Sequence, residues 1–255
     1  MTAEFKDRLG RELNQFSIIL ENSQINQFYQ YYELLDEWNK VMNLTAITDQ
    51  NEVITKHFVD SLAIKKAVVD ICKENEEIGG LLDFSKDISV IDVGTGAGFP
   101  GIPIKIAFPH TKVYLLDSLN KRVKFLNEVI DRLELKNIEA VHARAEDEAR
   151  KQDIRERFDL GVSRAVANLA TLSEYVMPFV KVGGYFVSYK SGDVEDEIKQ
   201  AKNAVKKLGG EIKHIYKFEL PGTESKRSFV FIKKIKETPK KYPRKSGLPS
   251  KEPLK

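Results

Sequence analysis

Cysteine is almost absent from this 255-residue chain: Cys72 stands alone, so an intrachain disulfide and a cysteine-based zinc site are both excluded. No apolar run approaches the roughly 20 residues that a membrane-spanning helix needs, and the first residues, Met1-Thr-Ala-Glu-Phe-Lys-Asp7, lack the apolar core of a leader peptide. A cytoplasmic protein without a membrane partner is expected. Histidine is also scarce, and His110, His142 and His214 have no acidic or cysteine neighbours at ligand spacing, so no metal is assigned. His57, in His57-Phe-Val-Asp-Ser-Leu62, has polar companions on a mostly apolar helix and reads as a packing histidine.

Net charge is small, +3, but unevenly spread. Nine basic residues from Lys233 onward face only Glu237 and Glu252, a local net of +7 that leaves −4 for residues 1–232. Such a block fits either a polyanion-binding segment or a solvated terminus. With 42% hydrophobic residues the rest of the chain can bury a substantial core.

Three regions differ in pattern. Residues 1–75 read as helical, with Phe5, Leu9 and Leu13 on one face and Ile25, Phe28, Tyr29, Tyr32, Leu35 and Trp38 at helical spacing. The aromatic residues there are assigned to the core. Gly79 and Gly80 mark the passage into residues 76–237, where candidate strands at 89–94, 112–118, 138–143, 158–163 and 184–190 alternate with helical patterns, as in a parallel α/β sheet. The strands at 211–220 and 228–235 are separated by a loop too short for a crossover, so they should pair antiparallel. Residues 238–255 form a basic tail whose four prolines exclude a long helix.

What is present points to a nucleotide-like cofactor. Ser89-Val-Ile-Asp-Val-Gly-Thr-Gly-Ala-Gly-Phe-Pro-Gly101 runs a buried strand into a glycine-dense turn. Gly94, Gly96 and Gly98 permit positive φ and close approach of a ligand. The next strand ends in Asp117, placed to accept hydrogen bonds from ribose hydroxyls. A pyrophosphate fingerprint spaces its glycines G-x-G-x-x-G, whereas Gly94, Gly96 and Gly98 alternate, which favours S-adenosylmethionine. Asp92 is a candidate for its ammonium, directly or through water.

Ligands of open α/β sheets bind beyond the strands' carboxyl ends. Those ends offer Gly94 to Phe99, Asp117 and Ser118, Ala145 and Glu146, Ser163 and Arg164, and Lys190. The Ala145-Glu146 backbone could serve an adenine edge. Cys72 lies upstream of the sheet, which disfavours chemistry needing a thiolate. The fourth strand leads into Ser163-Arg-Ala-Val-Ala-Asn168 rather than the Asn/Asp-Pro-Pro-aromatic turn common to exocyclic-amine methylation. A ring nitrogen with its own lone pair remains an attractive methyl acceptor, since it has no proton to lose.

The chain resembles the bacterial ribosomal RNA small subunit methyltransferase G family, also called glucose-inhibited division protein B. The resemblance rests on Trp38-Asn-Lys-Val-Met-Asn-Leu-Thr45, His57 with Asp60-Ser-Leu62, Ile91 to Gly101, Asp117-Ser118 with Lys121-Arg122, Arg144-Ala-Glu146, Ser163 to Ala167, and Tyr242-Pro-Arg244 with Gly247 and Pro249. It implies a Rossmann-like methyltransferase fold: a mostly parallel seven-stranded sheet with an antiparallel last strand, preceded by a helical extension. It also implies methyl transfer from S-adenosylmethionine to N7 of a guanine in the helix 18 loop of 16S ribosomal RNA, free or in the small subunit. The family's cofactor positions fall on Gly94, Phe99, Asp117, Ser118, Ala145, Glu146 and Arg164, and Gly96 joins them from the glycine pattern. Arg144, Lys190 and Arg244 are the candidate RNA contacts. No catalytic acid or base and no metal is implied, and a monomer is expected. Two other readings use the same strand and turn: a nicotinamide-dependent oxidoreductase, and a non-catalytic RNA-binding protein on a methyltransferase-like fold.

Overall fold

A computed structural model describes residues 1–74, 82–164 and 167–255. The Gly79-Gly80 passage, the 75/76 boundary and residues 165 and 166 lie outside the described residues. Helices α1 (Ala3–Asn14) and α2 (Asn22–Met42) lead into α3 (Gln50–Val53), a π-helical turn (Ile54–Val59), α4 (Asp60–Leu62) and α5 (Ile64–Glu74). Then β1 (Ser89–Val93), α6 (Gly101–Ala107), β2 (Lys112–Asp117), α7 (Asn120–Arg132), β3 (Ile138–His142), α8 (Ala145–Glu148), β4 (Phe158–Arg164), α9 (Leu169–Val176), β5 (Val180–Ser191), α10 (Glu195–Lys207), β6 (Gly210–Glu219), β7 (Lys226–Lys234) and α11 (Leu248–Lys251) follow.

The seven strands form one sheet in the order β3-β2-β1-β4-β5-β7-β6. β1 to β5 pair parallel, and β7 inserts antiparallel between β5 and β6. The last strand is thus the antiparallel one, and β6 and β7 pair antiparallel across their short loop, as the spacing requires. β5 begins at Val180, earlier than the 184–190 expected, and runs through Gly183 and Gly184. A Cβ on Gly184 would sit 2.6 Å from the Asp159 carbonyl oxygen, so the strand passes its neighbour where only glycine fits.

Each strand sends alternate residues to opposite faces. Val90, Leu115, Leu160, Tyr185, Val187 and Phe229 join one buried cluster with Phe5, Phe28, Tyr31 and Phe58 of the helical region. Ile91, Leu116, Phe186 and Ile232 join the other with Leu172 and Val176 of α9 and Ala201 and Val205 of α10. The helical region therefore covers one sheet face, and Phe28 and Tyr31 are core residues with no exposure.

Residues 238–255 fold back along the far side of the sheet. The Arg155 guanidinium donates to the Thr238 and Tyr242 carbonyls at 2.8 and 3.1 Å. The Thr171 hydroxyl donates to the Pro249 carbonyl at 3.0 Å. Of the two expectations for the basic block, a free solvated terminus is overturned: many of its backbone groups are held by the core, and Lys234 is itself buried, its amine donating to the Met177 and Val180 carbonyls.

Candidate active site

A cavity of about 740 Å³ opens at the carboxyl ends of the central strands, a volume in the range of small-molecule sites. One wall is the turn after β1. Gly94, Gly96 and Gly98 have φ of 71, 64 and 98°, the left-handed region that a side chain penalises. They are not equivalent. A Cβ on Gly98 would meet Ile102 and the Tyr31 hydroxyl at 2.5 and 2.6 Å, whereas one on Gly96 would meet nothing within 4 Å. Gly98 serves packing, and Gly96 leaves open space on a surface that lines the cavity.

Asp117 and Ser118 continue that wall. The Asp117 carboxylate accepts the Gly96 amide at 2.9 Å, the Leu119 amide at 2.9 Å and Arg122 at 3.4 Å. A carboxylate has about four acceptor sites, so Asp117 holds the glycine turn and keeps acceptor capacity for a ligand hydroxyl. Asp92 behaves differently. It is fully buried, with Oδ2 accepting from the Thr95 hydroxyl at 2.7 Å and the Gly101 amide at 2.8 Å. Burial pushes its carboxyl up to about 6. Oδ2 thus staples the turn from inside, while the buried Oδ1 has no hydrogen-bond partner among the described residues. The side chain is not among the residues lining the cavity, so a contact with a ligand ammonium, direct or through water, would have to be made by Oδ1.

The opposite wall comes from the helical region, which the glycine pattern did not reveal. The π-helical turn gives His57 and Phe58 adjacent but divergent roles, a distortion frequent at functional sites. Phe58 enters the core against Phe28, Tyr31 and Phe99. His57 lines the cavity and stacks on Phe99 with ring centroids 4.4 Å apart. Its Nε2 lies 2.9 Å from the Thr45 hydroxyl oxygen and its Nδ1 lies 3.2 Å from Arg164. Burial, reinforced by the Arg164 charge, lowers its pKa to about 3. The ring is neutral at physiological pH, and the packing role expected of it extends to both nitrogens.

Arg164 lines the cavity, yet its guanidinium is already engaged. It pairs with Asp60 at 2.9 Å, donates to the Lys56 carbonyl at 3.2 Å and lies over the Phe99 ring at 5.0 Å. Asp60 also pairs with Arg227 at 3.2 Å. Lys190 lines the cavity with its amine donating to the Ala167 carbonyl at 2.8 Å and to Glu197 at 2.6 Å. The structure therefore brings Gly94, Gly96, Phe99, Asp117, Ser118, Arg164 and Lys190 together around one space.

It does not bring Arg144, Ala145, Glu146 or Arg244 to that lining. Arg144 is exposed at the end of β3. The buried Glu146 carboxylate accepts the Gly247 amide of the C-terminal segment at 2.8 Å. Arg244, expected at RNA, forks onto the fully buried Glu174, with Nε to Oε1 at 2.9 Å and Nη2 to Oε2 at 2.7 Å. Its charge answers a buried carboxylate, a distant partner that no local pattern announces. No group of three or more candidate metal ligands occurs among the described residues, and none of their helices is long and apolar enough to cross a membrane.

A doubly wound sheet whose last strand inserts antiparallel, with a glycine turn after β1 and an acid closing β2, defines the Rossmann-like methyltransferase class. Residues 24–229 match the family model described as rRNA small subunit methyltransferase G. The chain is 52% identical over 242 residues to the ribosomal RNA small subunit methyltransferase G of Lachnoclostridium phytofermentans, covering 95% of this chain and 94% of that one. It is 48% identical over 252 residues to the protein of the same name from Clostridium botulinum, covering 99% and 100%. The chain belongs to the rRNA small subunit methyltransferase G family. Among solved structures it is more distantly similar to the Methanococcus jannaschii fibrillarin pre-rRNA processing protein, at 19% identity and a TM-score of 0.49, covering 61% of this chain and 70% of that one.

Proposed function

We propose that this protein transfers a methyl group from S-adenosylmethionine to N7 of a guanine in the helix 18 loop of 16S ribosomal RNA, acting in the cytoplasm as a monomer. The cofactor, when bound, supplies a methyl group on a sulfonium, which needs no metal. Gly94 and Gly96 would carry its backbone-facing side and Asp117 its ribose, Ser118 would meet the adenine, and Phe99 would supply an apolar wall. The Ala145-Glu146 backbone, outside the cavity lining, would meet the adenine edge only where the cofactor extends past Ser118. The cavity fits this group: Gly96 faces open space, and Asp117 lies beside it with acceptor capacity left.

The observation that carries the reading is the state of His57. The one histidine lining the cavity is held neutral and occupied on both ring nitrogens, so it is unsuited to accept a proton. A nucleophile that carries its own lone pair and loses no proton matches that wall. The residues then act by orientation and exclusion of water, and alignment of two reactants can supply effective molarities on the order of 10⁵ M or more. Lys190 and Arg144, at and beyond the rim, are the proposed RNA contacts. Arg244 is proposed to act on the fold.

Calorimetric titration tests the cofactor assignment. Heat of binding with S-adenosylmethionine and none with NAD is expected. The reverse would favour an oxidoreductase, and binding of neither, with RNA affinity retained, would favour a non-catalytic RNA-binding protein.

A further inference from the structure

The hydrogen bonds around His57 determine what Thr45 can offer a ligand. Arginine has donors only, so Arg164 Nη2, 3.2 Å from His57 Nδ1, must donate to it. The single proton of the neutral ring then sits on Nε2 and points at the Thr45 hydroxyl oxygen 2.9 Å away. That oxygen also accepts the Ile47 amide at 3.1 Å. Both its lone pairs are taken, and what remains is its own O–H. Among the described residues no acceptor takes that proton, and Thr45 lines the cavity. The position is held firmly: Asn39 bridges the Thr45 amide and carbonyl at 2.9 and 3.0 Å.

We propose that the Thr45 hydroxyl, held as a donor only, recognises O6 of the target guanine and excludes adenine from the same position. This inference rests on the N7 reading above. N7 and O6 share one edge of guanine. N7 must stay free to meet the methyl group, so O6 is the acceptor on that edge left for the protein to read. Adenine carries an amino group in place of O6, and its hydrogens would face a hydroxyl with no lone pair to receive them. Thr45 is thus a specificity residue, and His57 and Arg164 are positioning residues that fix its polarity.

The test uses small subunits reconstituted from 16S RNA carrying either guanine or 2-aminopurine, which lacks O6, at the modified position. Wild-type protein should methylate the guanine form at least about 10-fold faster, the cost of one unmade hydrogen bond in a closed site. Thr45→Val should lower the guanine rate by a similar factor and treat both RNAs alike, with S-adenosylmethionine affinity unchanged, and Thr45→Ser should restore the preference. ¹⁵N shifts of His57 should report a protonated Nε2. Equal rates on the two RNAs with wild-type protein, a preference that survives Thr45→Val, or a protonated Nδ1 would each overturn the proposal. Loss of cofactor affinity in Thr45→Val would assign the hydroxyl to the cofactor instead. Failure of wild-type protein to methylate the guanine subunit would overturn the N7 reading itself.

Discussion

The Tyr31 hydroxyl, on α2, donates to the carbonyl of Ala97 in the glycine turn. Tyr31 is fully buried, packed against Phe58, Phe99 and Phe125. The helical region is thereby bolted to the loop proposed to hold the cofactor, and it contributes shape to the site as well as cover to the sheet.

Tyr31→Phe should strand the buried Ala97 carbonyl while leaving the ring packing intact. A loss of about 1 to 3 kcal/mol is expected, read as a lower urea midpoint with unchanged slope. S-adenosylmethionine affinity should fall several-fold, because the turn loses its anchor. Wild-type stability and affinity in this variant would show that the turn holds its own shape.

Asp117→Ala should weaken S-adenosylmethionine binding by roughly 10- to 150-fold, the worth of hydrogen bonds to a charged group. The Gly96 and Leu119 amides lose their acceptor at the same time, so Asp117→Asn, which keeps one acceptor oxygen, should fall between. An unchanged dissociation constant in the alanine variant would remove Asp117 from the site.

Stability against acid should depend on His57. Its folded pKa, about 3, lies below that of an unfolded histidine near 6.5. Between those values the unfolded chain binds the extra proton, and the contribution is present above pH 6.5 and lost as pH falls toward 3. Asp92, raised to about 6, works in the opposite sense, losing stability as pH rises from about 4 through 6. Comparing wild type with His57→Gln isolates the histidine: the stability gained from pH 5 to 7 should shrink by about 1 to 2 kcal/mol in the variant. An identical pH dependence would mean the ring is solvated and protonates freely. Turnover at saturating substrates should stay nearly flat across neutrality, unlike the bell-shaped profile of acid-base catalysis.

Arg244→Ala should leave Glu174 buried and unpaired, at a cost of roughly 3 kcal/mol, and Arg244→Met with Glu174→Leu should recover most of it. Because the C-terminal segment is part of the fold, its RNA role is tested by neutralising the exposed Lys240, Lys241 and Lys245 with glutamine. Every lysine that meets a phosphate should, once neutralised, take about 0.7 to 0.9 from the slope of log affinity against log salt. An unchanged slope with an unchanged melting temperature would confine the segment to a structural role.

The glycine turn and Asp117 were legible in the sequence because strand, turn and acid are local patterns with a fixed geometry. The alternation of strands and helices was legible for the same reason, down to the antiparallel closing pair. The second wall was not. Arg164 meets Asp60 across 104 positions of sequence, and Arg244 meets Glu174 across 70. Burial of the acid decides both pairings, and the count of basic residues in the tail gives no hint of Arg244's partner. His57 stood out for its polar neighbours, but the π-helical turn that aims it into the cavity has no sequence signature. Asp92 was only half legible because an acid before a glycine turn can face either the ligand or the turn: Oδ2 takes the Gly101 amide, and Oδ1 is left without a partner among the described residues.

The most direct measurement incubates the purified protein with small ribosomal subunits lacking the modification and with S-adenosylmethionine, then maps the product by reduction and aniline cleavage, which breaks RNA chains at N7-methylguanine. One cofactor-dependent cleavage, at a guanine of the helix 18 loop, is the predicted result. Methyl incorporation at an exocyclic amine or a pyrimidine carbon, with no cleavage at guanine, would contradict the account.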